Sequence, residues 1–270
     1  AAKRVANGEE DIRLIPSAKG GDRDKRTGVI LAKSIPAKKF GIKTGEPVGM
    51  ALRKCPDLYL AKPDFRLYIK CSKAFMDICR EYAPVVEKYS IDECFLDMSG
   101  THRIYPDPIA IATTITDKIR DELGFTVNVG IGDCKLLAKM AGDFEKPNKV
   151  HTLFPEEIPD KMWPLPGRDL FLVGAATEAK LHKFGIYTIG DLAKADVSVL
   201  RRRLGKHGET IWHFANGRNA DLVTPTPAEN KGYGNSVTTA TDVVTREQAH
   251  QVLLGLCETV AARMRKDDKC

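Results

Sequence analysis

The chain has 270 residues, of which 43% are hydrophobic and 29% are charged, and its formal net charge is +6. These proportions are those of an ordinary globular protein and exclude disordered, collagen-like and low-complexity chains. The length predicts roughly two domains. Apolar runs such as 29–32 and 171–173 are much shorter than the ~20 residues of a membrane-spanning helix, so the sequence predicts no membrane segment.

The seven cysteines are scattered singly, with no Cys-x-x-Cys pair. This usage is typical of reduced thiols in a cytoplasmic protein rather than of a zinc site or a disulfide framework. The first ten residues lack both the apolar core of a signal peptide and an initiator methionine. We therefore expect the natural beginning of the protein to lie upstream.

The first half of the chain alternates short β-rich runs with amphipathic helices. An apolar run predicts a strand over 28–32, and a helix is predicted over 48–54. A longer helix is predicted over 63–82, where apolar residues recur at three-to-four spacing. The β-rich run over 85–98 predicts two strands that are joined near Asp92.

Further elements follow in the same part of the chain. A helix is predicted over 108–123, with Gly124 as its C-terminal stop. A strand is predicted over 125–131, and Asp133 is placed to cap a helix over 135–144. A strand pair, a helix, a strand and a helix together predict a compact α+β domain.

Beyond Pro155 the pattern changes to helices with short glycine-containing turns, from Asp169 to about Asn219. Proline and threonine residues after this region predict an exposed linker. A strand is predicted over 234–239, and Thr245-Arg246-Glu247-Gln248 is a capping box that begins the last helix.

Two adjacent carboxylates, Asp92 and Glu93, interrupt the β-rich run. In a continuous strand one of them would point into the core, where an ionised carboxylate needs a compensating positive charge. Two Mg²⁺ ions would supply that charge, and such a pair of ions is the usual machinery for displacement at phosphorus. Alternatively, the two residues form the turn of a hairpin and are solvated or paired with lysine.

Lysines follow two of the predicted elements. Lys38 comes after the first strand, and Lys146 comes after the helix over 135–144. If the fold brings either lysine near the acidic pair, its charge could neutralise a triphosphate. The alternative is that both are ordinary solvated surface residues.

Two short glycine-containing turns lie in the helical second half. Glycine lets backbone N–H groups at the start of a helix point outward, where they bind phosphate oxygens without reading the bases. The pair resembles a tandem helix-hairpin-helix, a clamp on the DNA backbone, and ordinary glycine caps are the alternative. The candidate DNA-binding residues are Gly174, Ala176, Thr177, Lys180, Gly205, Lys206 and Gly208.

Taken together, these segments resemble the Y-family of DNA polymerases, the translesion enzymes, and most closely its bacterial DNA polymerase IV branch. The resemblance extends over nearly the whole chain, and its motifs occur in family order. They are 37–45, Ser90-Ile91-Asp92-Glu93 within 89–97, 130–141, Lys146-Pro147-Asn148 within 145–148, and 173–192.

The resemblance implies an α+β, right-handed polymerase with a ferredoxin-like palm, small fingers, an all-helical helix-hairpin-helix thumb and a partial α+β little finger. The implied bounds are fingers 1–61, palm 62–154, thumb 155–222, linker 223–231 and partial little finger 232–270.

The resemblance also implies roles for individual residues. Asp92 would bind a catalytic metal ion, and Glu93 would help to hold the ion that activates the primer 3′-hydroxyl. Lys146 would contact the incoming triphosphate, and Lys38 would stand in for a basic fingers residue with the same task. The two glycine hairpins would grip the duplex backbone.

The chain departs from the family pattern in two places. The family's opening strand carries a first metal-binding aspartate and an aromatic steric gate, and no segment before Arg13 has the pattern of that strand. Two of three metal carboxylates are therefore present, which predicts impaired two-metal chemistry. Ile35 lies where many relatives have an aromatic hydroxyl on the triphosphate, and it cannot donate a hydrogen bond.

These expectations describe part of an error-prone translesion DNA polymerase, inactive on its own, that uses two Mg²⁺ ions. Its partners would be primer-template DNA, a deoxynucleoside triphosphate and a sliding clamp bound through a region outside the sequence. We expect a monomer in the cytoplasm, associated with the nucleoid.

Two other functions remain as alternatives. The first is a non-catalytic DNA-binding repair module that uses the hairpins and requires no metal. The second is a two-metal nuclease, which would need further ligands near the acidic pair. His102 and His151 are the nearest histidines by sequence, and neither has metal-ligand spacing to that pair.

Overall fold

The structure is a computed structural model, and it describes residues 2–21, 28–226 and 229–269. The predicted turn before the first strand and the middle of the predicted linker lie partly outside these described residues. The chain divides into two compact units, one of Ala1–Phe65 with Ala228–Cys270 and one of Arg66–Pro227. No helix in the described ranges is both long enough and apolar enough to cross a membrane.

The α-helices of the described residues are, in chain order, α1 Ala2–Ala6, α2 Ile35–Lys39, α3 Val48–Lys54, α4 Phe65–Arg80, α5 Pro108–Leu123, α6 Lys135–Gly142, α7 Ala175–His182, α8 Ile189–Lys194, α9 Val197–Leu204, α10 Lys206–Ala215 and α11 Arg246–Lys266. The β-strands of the same residues are β1 Ser17–Gly20, β2 Ile30–Lys33, β3 Tyr59–Ala61, β4 Val85–Lys88, β5 Cys94–Asp97, β6 Val129–Ile131 and β7 Val150–Thr152.

The first unit contains a three-stranded sheet in the order β2-β1-β3. Strand β1 is antiparallel to β2 and parallel to β3. Ser34 connects this sheet to helix α2, because its hydroxyl accepts hydrogen bonds from the backbone N–H groups of Ser17 and Ala37. The core is small and includes Ile30, which is fully buried, and Val48. Helix α2 is therefore anchored directly to the sheet.

Helix α11 of the first unit begins as the sequence predicts. The Thr245 side chain accepts a hydrogen bond from the backbone N–H of Gln248, which completes the predicted capping box. The predicted strand over 234–239 is wrong, since these residues form no regular secondary structure. A strand requires a neighbour for its backbone N–H and C=O groups, and no described strand pairs with this segment.

The second unit contains an antiparallel hairpin of β4 and β5, in which Lys88 lies opposite Cys94. Helices α4 and α5 pack on it through a shared apolar core that includes Phe75 and Ile119. The hairpin confirms the prediction of two strands joined near Asp92. Helix α5 has the predicted bounds and ends at Gly124, whose φ is +73°.

Strands β6 and β7 form a parallel pair, and helix α6 packs directly on β6. A Cβ atom on Gly130 of β6 would lie 1.9 Å from the carbonyl oxygen of Ala138 in α6. No residue other than glycine fits at this distance. The backbones of strand and helix therefore touch, which fixes the position of the side chains on α6.

Three predicted details in this region are wrong. The strand begins at Val129 rather than at Phe125, because Phe125 and Val127 pack against the core of α4 and α5 instead of pairing with β7. Helix α6 ends at Gly142, two residues early. Its N-cap is Cys134 and no side chain caps it, so Asp133 lies one residue too far upstream for that role.

Helices α7 to α10 surround an apolar core that continues into α6. Met140 of α6 and Ile211 and Ala215 of α10 belong to one cluster of buried residues. The indole N–H of Trp163 donates to the carbonyl of Ala215 at 3.0 Å and joins the start of this region to its last helix. One core therefore extends from the α+β part of the unit into the helical part.

Candidate active site and nucleic-acid interface

Asp92 and Glu93 lie in the turn between β4 and β5, not within a strand. The backbone N–H groups of Tyr89 and Ser90 both donate to the carbonyl of Glu93 at 3.0 Å and close the turn. The Ser90 hydroxyl donates to the Asp92 carboxylate at 2.8 Å. Asp92 is exposed and Glu93 half-buried. Neither carboxylate is in the core. The local geometry is therefore the hairpin turn that the sequence analysis gave as the alternative to a buried pair.

A lysine that sequence reasoning missed compensates Glu93. The ammonium of Lys139 on α6 lies 2.5 Å from Glu93 Oε1 and 3.4 Å from Asp143 Oδ2. Asp143 Oδ1 in turn lies 2.7 Å from the ammonium of Lys146. The spacing Lys-x₃-Asp-x₂-Lys at the end of a helix could have indicated the ion pairs of Asp143 with Lys139 and Lys146.

The neighbouring charges shift the pKa values of Lys139 and Asp143. Partial burial works to lower the pKa of Lys139, but the hydrogen bond to Glu93 and the charge of Asp143 outweigh it and hold that pKa above its ordinary value. Burial likewise works to raise the pKa of Asp143. The hydrogen bond from Lys146 and the charge of Lys139 overcome this effect, so the pKa lies below its ordinary value. Both groups are charged at neutral pH.

The acidic pair and Lys146 face one cavity, whose volume is about 1390 Å³. Strands β5 and β6 both contribute to its wall, and so do the inward faces of α4 and α5. Each of these strands has one partner strand in the described part of the chain, β4 for β5 and β7 for β6. The structure thus brings three of the predicted residues, Asp92, Glu93 and Lys146, to the same cavity.

Lys38 belongs to the other unit. It lies in the last turn of α2, where its side chain is exposed and makes no ion pair with a described residue. Ile35 starts the same helix and is also exposed.

The two glycine hairpins lie beside each other. Gly174 is the N-cap of α7, and Gly205, with a φ of +66°, joins α9 to α10. The hydroxyl of Thr177 lies 3.5 Å from His207 Nε2, so the starts of α7 and α10 are neighbours. Most of the predicted DNA-binding residues are exposed there, namely Gly174, Ala176, Lys180, Gly205 and Lys206.

Two other residues of the hairpins stand out, Gly208 by its burial and Leu172 by its backbone conformation. Gly208 is buried, and a Cβ atom on it would lie 2.4 Å from the carbonyl oxygen of Leu200. Its surroundings indicate helix packing. Leu172, in the loop before α7, has a φ of +70° and is 53% exposed. A left-handed conformation is unfavourable for leucine, and no sequence signal marked it.

The acidic pair has the donor chemistry of a divalent metal site. Carboxylate oxygens are the ligands that Mg²⁺ prefers, and an ammonium already lies against Glu93, which indicates that the position attracts positive charge. Within the described ranges no three Asp, Glu, His or Cys side chains converge as a complete ligand set. Asp92 and Glu93 therefore suit a metal ion whose remaining ligands come from groups other than these two carboxylates.

Comparison with known proteins identifies the family. A family model described as the impB/mucB/samB family matches residues 4–143, its C-terminal domain matches 230–270, and a model of the DNA polymerase-iota thumb domain matches 165–219. DNA polymerase IV of Clostridium acetobutylicum is 44% identical over the whole chain. The chain belongs to the Y-family of DNA polymerases. It spans about two thirds of the length of its curated relatives, 68% of the Clostridium protein and 64% of DNA polymerase IV from Alkaliphilus oremlandii.

Solved structures agree with the Y-family fold. DinB from Sulfolobus solfataricus is 23% identical, with a TM-score of 0.74 over 83% of this chain and 65% of that protein. A Y-family DNA polymerase chimera is 24% identical, with a TM-score of 0.71 over 86% of this chain and 67% of the other. The predicted fold class, an α+β polymerase hand with a helix-hairpin-helix thumb, is confirmed.

Proposed function

We propose that the protein carries out template-directed DNA synthesis past lesions. The observation that carries the proposal is the cavity of a Y-family chain into which Asp92, Glu93 and Lys146 all face. A carboxylate pair and a nearby ammonium are the groups that nucleotidyl transfer requires at the primer end and at the triphosphate.

Each residue has a distinct task in this proposal. Asp92 and Glu93 hold two Mg²⁺ ions, which when bound activate the 3′-hydroxyl and offset the charge that develops at phosphorus. The Ser90 hydroxyl orients the Asp92 carboxylate. Lys146 turns from Asp143 to a triphosphate oxygen, and its 57% exposed side chain allows that movement. Lys38, exposed on α2 of the fingers, contributes a second cation to the triphosphate.

Residues 1–270 alone would have little activity, because the described residues supply two metal carboxylates where the two-metal mechanism of the family uses three. The cavity supports this proposal. Strands β5 and β6 both line it and each has a single described partner strand, so the space between them suits an additional strand that brings the first aspartate.

The hairpins supply the hold on primer-template DNA. Backbone N–H groups at the starts of α7 and α10, with Lys180 and Lys206 beside them, suit phosphate oxygens and not base edges. The proposed domains are fingers 1–61, palm 62–154, thumb 155–222 and partial little finger 232–270, and the thumb carries both hairpins. We further propose a cytoplasmic, nucleoid-associated monomer that binds a sliding clamp through a region outside residues 1–270.

Primer extension with Mg²⁺ tests the function. The full-length protein, its Asp92→Ala variant and residues 1–270 are compared on an intact template and on a template with an abasic site. Asp57→Ala, which removes an exposed carboxylate of the fingers, is the matched control. We expect only the full-length protein and the Asp57→Ala control to extend the primer. All four proteins should bind the DNA.

Two results would contradict the proposal. Extension by Asp92→Ala would mean that the acidic pair is not the catalytic site. Binding of primer-template without extension by any protein would favour the non-catalytic DNA-binding repair module. That alternative draws support from the pairing of Glu93 with Lys139 in an ordinary hairpin turn.

A further inference from the structure

Four side chains of alternating charge form a row along the wall of the cavity. They run from Glu93 through Lys139 and Asp143 to Lys146, with successive nitrogen–oxygen distances of 2.5, 3.4 and 2.7 Å. Lys139 and Asp143, the two middle members, each contact two partners of opposite charge, and Lys139 is the one that contacts Glu93 of the proposed metal site. Its side chain is 21% exposed, the least of the four.

Lys139 has a fixed base and a mobile end. The contact of Gly130 with the backbone of Ala138 holds α6 against β6, so the Lys139 backbone has a fixed place beside that strand. The ammonium at the end of four methylene groups can rotate, and its three N–H donors need not share one acceptor. The ammonium lies 2.5 Å from Glu93 and 3.4 Å from Asp143, so a small rotation of the side chain would bring it closer to Asp143 than to Glu93.

Asp143 can accept the ammonium without losing its other partner. Lys146 contacts Oδ1, whereas Lys139 faces Oδ2. A carboxylate has lone pairs on both oxygens and can accept from two cations at once. Glu93 differs from Asp143 because a divalent cation on its carboxylate would repel the Lys139 ammonium about twice as strongly as a second lysine does, so metal binding favours a move of the ammonium toward Asp143.

We propose that Lys139 is a positioning residue that occupies the place of a cation beside Glu93 in the metal-free protein and moves to Asp143 when a divalent cation binds the acidic pair. The proposal rests on the proposed function, because it requires that Asp92 and Glu93 hold the metal. Lys139 thereby keeps Glu93 in its turn geometry before metal binding and lowers the metal affinity of the empty site.

Titration of the full-length protein with Mn²⁺, with the free ion measured by electron paramagnetic resonance, tests this exchange. Lys139→Gln removes the competing cation, and we expect the Kd for Mn²⁺ to fall about tenfold. Lys135→Gln is the matched control, since Lys135 lies one turn earlier on α6 and pairs with Glu87 instead. The same charge is removed there, and we expect the Kd to change by less than about twofold at physiological salt.

A double-mutant cycle separates the exchange from general electrostatics. Asp143→Asn removes the second resting place of Lys139, so it raises the Kd for Mn²⁺ several-fold in the parent protein. In the Lys139→Gln background the same substitution has a much smaller effect on the Kd, because no ammonium at position 139 has to move to Asp143 when the metal ion binds. Equal effects of Asp143→Asn in both backgrounds would overturn the proposal, as would an unchanged Kd in Lys139→Gln.

Asp92→Asn distinguishes a failure of this proposal from a failure of the proposed function. If Mn²⁺ binds and Asp92→Asn abolishes that binding, the metal site is the proposed one and the cycle alone decides the role of Lys139. If no Mn²⁺ binds in a manner that depends on Asp92, both the metal-holding function of the pair and the exchange by Lys139 are wrong. Thermal unfolding of each variant, measured without added metal, shows whether the fold is retained.

Discussion

Gly208 is the residue through which helices α9 and α10 touch, and Gly208→Ala tests that contact. An added Cβ atom would lie 2.4 Å from the carbonyl oxygen of Leu200 and 2.8 Å from its carbonyl carbon. Ordinary contact begins near 3.4 Å, so α10 would have to move away from α9 by about 1 Å. Both contacts are with backbone, which cannot rotate aside as a side chain would.

The expected loss of stability follows from two opposing terms. Overpacking typically costs about 1–3 kcal/mol, and contact with a backbone carbonyl places Gly208→Ala at the upper end of that range. Alanine is about 1 kcal/mol more favourable than glycine inside a helix, and Gly208 is the third residue of α10. The free energy of unfolding should therefore fall by about 2 kcal/mol.

Tryptophan fluorescence during urea unfolding measures this change selectively. The chain has two tryptophans, Trp163 and Trp212, and both pack against the core shared by α6 to α10. Gly174→Ala is the matched control, because it adds the same methyl group with no heavy atom within 4 Å. Alanine is a poorer N-cap than glycine, so the control should lose at most about 1 kcal/mol.

DNA binding gives the result that would refute the packing argument. Gly208→Ala should lower the urea midpoint, and any loss of DNA affinity should accompany that change, because the start of α10 moves with the helix. If the urea midpoint is unchanged and DNA affinity falls instead, Gly208 contacts the nucleic acid and the contact between α9 and α10 is not as close as described.

Three further predictions concern the same region. Leu172→Gly relieves a left-handed conformation worth about 1–2 kcal/mol and adds about 0.5–1 kcal/mol of chain entropy, so the urea midpoint should rise slightly; a fall would contradict the strain. Lys206→Gln should lower the slope of log affinity against log salt in DNA-binding anisotropy by about 1, and an unchanged slope would remove Lys206 from the interface. Hydrogen bonds from the backbone N–H groups of Thr188 and Tyr187 hold the pKa of Asp191 below its ordinary value. Because the pKa of Asp191 is lower in the folded than in the unfolded protein, its ionised carboxylate stabilises the fold at pH values above the unfolded pKa of about 3.9. This stabilisation is lost as the pH falls through the pKa of the folded protein. Asp191→Asn should thus cost about 1 kcal/mol at pH 7 and less near pH 3, and a constant difference would exclude the ionised cap.

Local signals in the sequence were sufficient where an element is defined by its own ends. Helix α5 has the predicted bounds because Asp107 and Gly124 cap it with groups adjacent in sequence. Strand β1, in contrast, has the sequence Ser-Ala-Lys-Gly, which contains no β-branched or aromatic residue. It is a strand because β2 and β3 lie on either side of it, and a sequence pattern does not record such neighbours.

The candidate site could be predicted in part for the same reason. The acidic pair and Lys146 were found because they are adjacent to recognisable motifs. The ion pair between Lys139 and Glu93 depends on the close approach of α6 to β6, which Gly130 permits and which no local spacing encodes. The burial of Gly208 has a similar origin, since it depends on how tightly two helices cross.

The shared core of the second unit has a consequence for the synthesis of the protein. Leu137 and Met140 of α6 are covered by residues as late as Ile211 and Ala215, although α6 itself is complete more than sixty residues earlier. A nascent chain leaves the ribosome at a limited rate, so this apolar face of α6 stays open to solvent until α10 has emerged. During that interval the exposed apolar face would be open to chaperone binding, and a chain that ended before Ala215 would keep it exposed and be prone to aggregation.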